Sequence, residues 1–175
     1  MPLFAFEGLA PRVDETAFVA PTATLVGDVI VEAGASIWYG AVLRADYAPV
    51  IVRAGANVQD GAVLHGPPGL TTDVGRGATV AHNCVVHGAV LGEECLIANG
   101  SIVLDAARIG ARSLVAAGSV VAANTEIPPG VLAAGSPAVV KRPIDGSPAQ
   151  FWVDANPSAY AELAQRHLDG LTRID

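Results

Sequence analysis

The chain has 175 residues, enough for one domain with its own core and short for two. It is 51% hydrophobic and 15% charged, with 19 glycines and 12 prolines, a balance that excludes a disordered chain and argues against a helical one. The formal net charge is −7 and Lys141 is the single lysine, which leaves no basic stripe to neutralise a nucleic acid backbone.

The opening stretch, MPLFAFEGLAPRVDE, carries no basic leader and only a broken apolar run, and no segment approaches the roughly 18 uninterrupted apolar residues of a membrane span. A soluble, cytoplasmic protein with no membrane partner is expected. From Val13 a branched aliphatic returns every six residues: Val19, Leu25, Val31, Ile37 and Leu43. The step resumes at Val52, Val58 and Leu64, then at Val74, Val80 and Val86, then from Leu91 through Ile97, Val103, Ile109 and Val115 to Val121. Four residues after almost every aliphatic stands a small residue such as Ala23, Ala62, Cys84, Cys95 or Ser119; Tyr47 and Pro68, where the phase slips, break the rule. A six-residue period fits neither a helix nor a simple two-faced strand; it fits a short strand plus a corner, three of which close one triangular turn. Eighteen such hexads predict an all-β solenoid of about six coils whose aliphatics stack inward. Cys84 and Cys95 share the small-residue position and read as buried thiols rather than as a bridge.

The phase slips between Leu43 and Val52 and between Leu64 and Val74 predict loops at Asp46 to Ile51 and Gly66 to Asp73. The repeat fades at IPPGVLAAGSPAVV, so a β-helix over 1–140 and an exit segment with a C-terminal helix over 141–175 are expected within one domain. Ser147-Pro148 and Asn156-Pro157 are both candidate helix starts, and Tyr160, Leu163, Leu168 and Leu171 offer a face to pack on the coils.

Grouping the hexads in threes gives every residue an address. His65 and His87 each follow the third aliphatic of successive coils, one strand spacing of about 4.8 Å apart, with Arg44 at the same address one coil earlier. His82 lies on the preceding face, in register with Asp60. Zinc held by imidazoles needs nitrogens about 2.0–2.1 Å from a shared centre, which two stacked histidines can supply. His82 points around a corner, so it would reach such an ion from a neighbouring copy arranged about a three-fold axis. A homotrimer with three metal sites between copies is the expectation, and three histidines leave a fourth position open to water. Three merely solvated histidines are the plain alternative. Arg44, Asp46 and Asp60 could likewise be ordinary surface charges, but their clustering in a charge-poor chain favours ion pairs across the seam between copies. His167, the fourth histidine, falls on the tail helix and reads as structural.

The stretches LRADYAPVIVRAGANVQDGAVLH, TVAHNCVVHG and LAAGSPAVVKR resemble the γ-class carbonic anhydrase family, and the similarity spans essentially the whole chain. That resemblance implies a left-handed β-helix and a homotrimer, with His65, His82 and His87 binding Zn2+, or else Fe2+ or Co2+. It implies that Gln59 and Asn57 orient the metal-bound water or bicarbonate, that Arg44, Asp46 and Asp60 hold the trimer seam, and that Tyr160 leans from the tail helix toward the site. The implied activity is reversible hydration of carbon dioxide to bicarbonate by a metal-bound hydroxide. The chain departs from the family prototype at Tyr47, where a glutamate stands, and in the stretch from Gly66 to Ala81, whose single acid is Asp73. Two other functions share the coils: an acyltransferase or thioesterase acting on coenzyme A esters, and a non-catalytic trimeric scaffold stabilised by metal.

Overall fold

The computed structural model describes residues 2–174. The chain winds into a left-handed solenoid of stacked parallel β coils, about seven turns high, with one C-terminal helix. Most strands are only two or three residues long, because six residues leave room for one strand and one corner. The second face of the triangle is an eight-stranded sheet; the first and third faces join into a twelve-stranded one. Within the coils the pairings are parallel, so Val58 pairs Val80, Val80 pairs Ile97 and Ile97 pairs Val115, and the register shifts between Gly27 and Val29 where Thr24–Val31 pairs Val42–Val52.

From Leu25 to Val121 the periodic aliphatics are all within 3% of fully buried, and they form one continuous core column. Val13 and Val19, under the open N-terminal end, are only partly buried. Cys84 and Cys95 are free and buried within the column. Burial pushes the Cys84 thiol up to about 11 and the Cys95 thiol up to about 12.

The solenoid exceeds the six coils expected from the eighteen hexads. The six-residue step continues past Val121 through Ile127 to Ala133, both buried, and Leu3 pairs Leu25 at the other end. Ile127 is itself a branched aliphatic on the step, but the Pro128-Pro129-Gly130 run after it and the alanine at 133 made the repeat look finished. The excursion expected as a loop at Asp46 to Ile51 is instead extended: Val42–Val52 is one eleven-residue strand. It runs around a corner and pairs Val63–His65 with its first half and Thr72–Val74 with its second. The excursion after Gly66 does leave the coil but rejoins it at Thr72.

The helix α1 spans Pro148–Gly170 with Ser147 as its N-cap and proline in the first turn, while Pro157 lies inside it. Val153 seats α1 against Leu96 and Leu114, and Ala164 seats it against Phe18, Ala20 and Trp38. Tyr160 and Leu163 join that second cluster as expected, but Leu168 and Leu171 are exposed. His167 takes the place foreseen for them, donating or accepting at Tyr39 Oη over 2.9 Å and packing edge-on against Trp38. Leu171 already lies past the last helical residue, and Leu168 is turned off the stripe that starts at Val153. No helix among the described residues is long and apolar enough to cross a membrane.

Candidate metal centre

One column of side chains on the third face is set by strand register. Arg44, His65 and His87 are Cα partners on three successive rungs. Leu43, Leu64 and Val86, immediately before them, are fully buried, and strand alternation turns the next residue outward. The His65 and His87 rings lie 4.9 Å apart, centre to centre.

The polar contacts run along this column as a chain. Arg44 pairs with Asp46, and Asp46 meets His65 Nε2 at 2.9 Å. His65 Nδ1 faces His87 Nε2 at 3.0 Å, and His87 Nδ1 meets Asp105. Burial pushes the Asp46 carboxyl up, but hydrogen bonds from His65 and Arg44 outweigh it and hold the group below its usual range. An ionised carboxylate only accepts, so His65 Nε2 carries the ring proton, and by the same logic His87 Nδ1 carries one toward Asp105. In its neutral form an imidazole has a single N–H, so with those protons on the carboxylate side the two nitrogens that face each other both carry lone pairs. At 3.0 Å they repel unless a shared cation, a proton or a metal ion, lies between them. Two nitrogens bound to one tetrahedral ion sit roughly 3.3 Å apart, so the pair fits an imidazole-seeking divalent metal.

His82 stands on the second face, one residue before Asn83, whose φ of 57° turns the chain. Asparagine tolerates that left-handed conformation better than most residues. His82 Nδ1 lies 2.9 Å from the Asp60 carboxylate, and its Nε2 lies 3.3 Å from the Tyr160 hydroxyl. Burial first, and the nearby Asp60 charge second, push the Tyr160 hydroxyl up and keep it a donor. Among the described residues, no three His, Cys, Asp or Glu side chains of one chain gather around a common ion position.

Behind His82, Asn57 Nδ2 donates to Thr79 Oγ1 at 2.9 Å, and Gln59 Nε2 donates to Asn57 Oδ1 at 3.0 Å. Both amides are buried on the second face. Gln59, His82 and Tyr160 line a cavity of about 470 Å³ whose other walls include Leu96, Leu114 and Trp152. The sequence-predicted residues thus form two groups: Arg44, Asp46, His65 and His87 on the third face, and Asn57, Gln59, Asp60, His82 and Tyr160 at the second. Arg44 pairs with Asp46, and Asp60 with His82, inside one chain. Asp105 and Trp152 belong to this surroundings and were not foreseen. Asp105 stands one place beyond the histidine address, and Trp152 shows only once α1 is laid against the coils.

No family profile matches the chain. Individual proteins do. The carnitine operon protein CaiE of Salmonella agona is 41% identical over 98% of this chain and 86% of its own length. The mitochondrial gamma carbonic anhydrase 1 of Arabidopsis thaliana is 38% identical over 90% of this chain, which spans 59% of that protein. Among solved structures, a hexapeptide transferase family protein from Anaplasma phagocytophilum superposes with a TM-score of 0.88 at 35% identity, covering 94% of this chain and 96% of the other. By fold, repeat and relatives together, the chain belongs to the hexapeptide-repeat family of left-handed β-helix proteins that includes the γ-class carbonic anhydrases.

Proposed function

We propose that three copies of this chain assemble around a three-fold axis, bind a divalent metal ion, zinc by preference, at each seam, and hydrate carbon dioxide reversibly. The observation that carries this reading is the close approach of two imidazole nitrogens, His65 Nδ1 and His87 Nε2, 3.0 Å apart. They supply two ligands, and Nε2 of His82 on a neighbouring copy supplies the third once Tyr160 releases it. The gamma carbonic anhydrase relative supports the reaction, and the family's usual trimers support the assembly.

Bound there, a divalent cation would supply the Lewis acidity that brings the pKa of a water molecule far down from its bulk value, to about 7. Asp46, hydrogen-bonded to His65, and Asp60, 2.9 Å from His82 Nδ1, favour the tautomers that leave one nitrogen of each ring available. Gln59, anchored through Nε2 to Asn57, keeps its second N–H and its carbonyl oxygen for reactant oxygens and water. Leu96 and Leu114 give the adjoining cavity apolar walls, which suit a nonpolar gas and exclude competing water. Asp73, the one acid between Gly66 and Ala81, is tied to Arg53 by two hydrogen bonds, so that loop offers no carboxylate for exporting protons. Proton removal then falls to the residues of the seam and to buffer.

The test is His82→Ala. Its metal affinity, read by chelator competition, is expected to fall by more than the roughly 10–100-fold that loss of an outer-sphere partner costs. Stopped-flow hydration is expected to vanish with it. Wild-type hydration by this variant would refute the reading.

A second reading rests on the Asp60–His82 pair opening onto the apolar cavity. A carboxylate-oriented imidazole beside such a space can act as a general base, as an acyltransferase or thioesterase for coenzyme A esters would use it. The hexapeptide transferase relative supports that alternative. Purified protein that retains stoichiometric metal counts against it, because the metal occupies the nitrogen the base needs.

A further inference from the structure

Asp105 lies just outside the column of site residues. It follows Val103 and Leu104, and Leu104 occupies the address that holds His65 and His87 on the two rungs below. The histidine column therefore stops at His87, and Asp105, one place further on, reaches back to His87 Nδ1. The corner carrying it is clamped on both sides. The Ala106 N–H donates to the Gly88 carbonyl at 2.8 Å below, and the Asn124 N–H donates to the Asp105 carbonyl at 2.9 Å from above. Ala106 completes the corner at a φ of 57°. Among the described residues the Asp105 carboxylate has no side-chain partner except His87, so it is not part of an ion-pair network that would explain it otherwise.

We infer that Asp105 is a positioning residue for the metal centre: it holds the proton of His87 on Nδ1 and so presents Nε2, unprotonated and aimed at His65, to the ion. The inference rests on reading His65 and His87 as metal ligands. At the opposite end of the column Asp46 does the same for His65, but Asp46 is itself braced by Arg44. Asp105 works alone, and its loss frees the His87 ring to rotate and to carry its proton on either nitrogen.

The experiment is a Co2+ titration of the full-length chain, followed by visible absorption and by chelator competition, with no need for activity. Asp105→Ala is expected to weaken Co2+ binding roughly 10–100-fold, the usual cost of losing a ligand's outer partner. Asp105→Asn, which keeps an acceptor oxygen at the same reach, is expected to recover most of that loss. A general structural defect would not separate these two variants. Wild-type affinity in Asp105→Ala, with His87→Ala binding poorly, overturns the inference and leaves the metal centre standing. Wild-type affinity in His87→Ala overturns the metal centre and the inference together. Asp105→Ser serves as the second truncation should Asp105→Ala fail to fold.

Discussion

A buried amide keeps one orientation only when its own polar atoms are held. Gln59 is 3% exposed and donates to Asn57, which in turn donates to Thr79, so its remaining N–H and oxygen point to the cavity without costly reorganisation. Gln59→Ala is expected to lower kcat for hydration about 10²-fold, the cost of removing one preorganised polar group, with metal content unchanged. Metal analysis beside stopped-flow kinetics checks this, and a parallel loss of metal would show that Gln59 holds the ligands instead. Much of the site at this scale was legible in the sequence. The six-residue phase fixes which side chains share a column, so His65 and His87 fall on neighbouring rungs, and His82 on another face, before any contact is known. The pairing of Asp60 with His82 within one chain was not legible, because a period gives addresses and not rotamers. Asp105 escaped for a related reason: it is off the address and reaches its partner by side-chain length.

At the scale of elements, the site depends on the path taken after each histidine. Gly66 follows His65 and lets the rung pass tightly beneath Val42–Val52: its N–H donates to the Arg44 carbonyl at 3.2 Å, and its own carbonyl accepts from Ala48 at 3.1 Å. A Cβ at this position would collide with the carbonyl oxygen of Ala48 and come within 2.9 Å of that of Pro49. Gly66→Ala is expected to cost about 2 kcal/mol of stability by this overpacking and to lower the melting temperature by roughly 4–8 °C in a chain of this size. An unchanged melting curve would mean the backbone there gives way freely. The strand that replaces the expected loop at Asp46 to Ile51 explains why the phase slip misled: three added residues were absorbed by extension around a corner. The helix was foreseen from its proline start and apolar spacing. Its seat was not fully foreseen, since the contact stripe runs through Val153, Tyr160, Ala164 and His167 and passes Leu168 by.

For the whole molecule, one face holds two imidazoles and another holds the third, and a single triangular column cannot bring them to one point. In the proposed trimer, rotation about a three-fold axis would set the third face of one copy against the second face of the next, so that each seam gains a complete set. That proposition can be tested without resolving the assembly. His82→Ala chains and His87→Ala chains are each expected to bind metal poorly alone. Unfolded together in equal amounts and refolded, they form mixed trimers in which one seam joins an intact His65–His87 face to an intact His82, restoring about a quarter of the wild-type sites. Tight metal binding at that level, together with hydration in proportion, is the predicted result. A mixture that binds no more metal than the separate variants, when the wild type refolded in the same way binds fully, would contradict a site shared between copies.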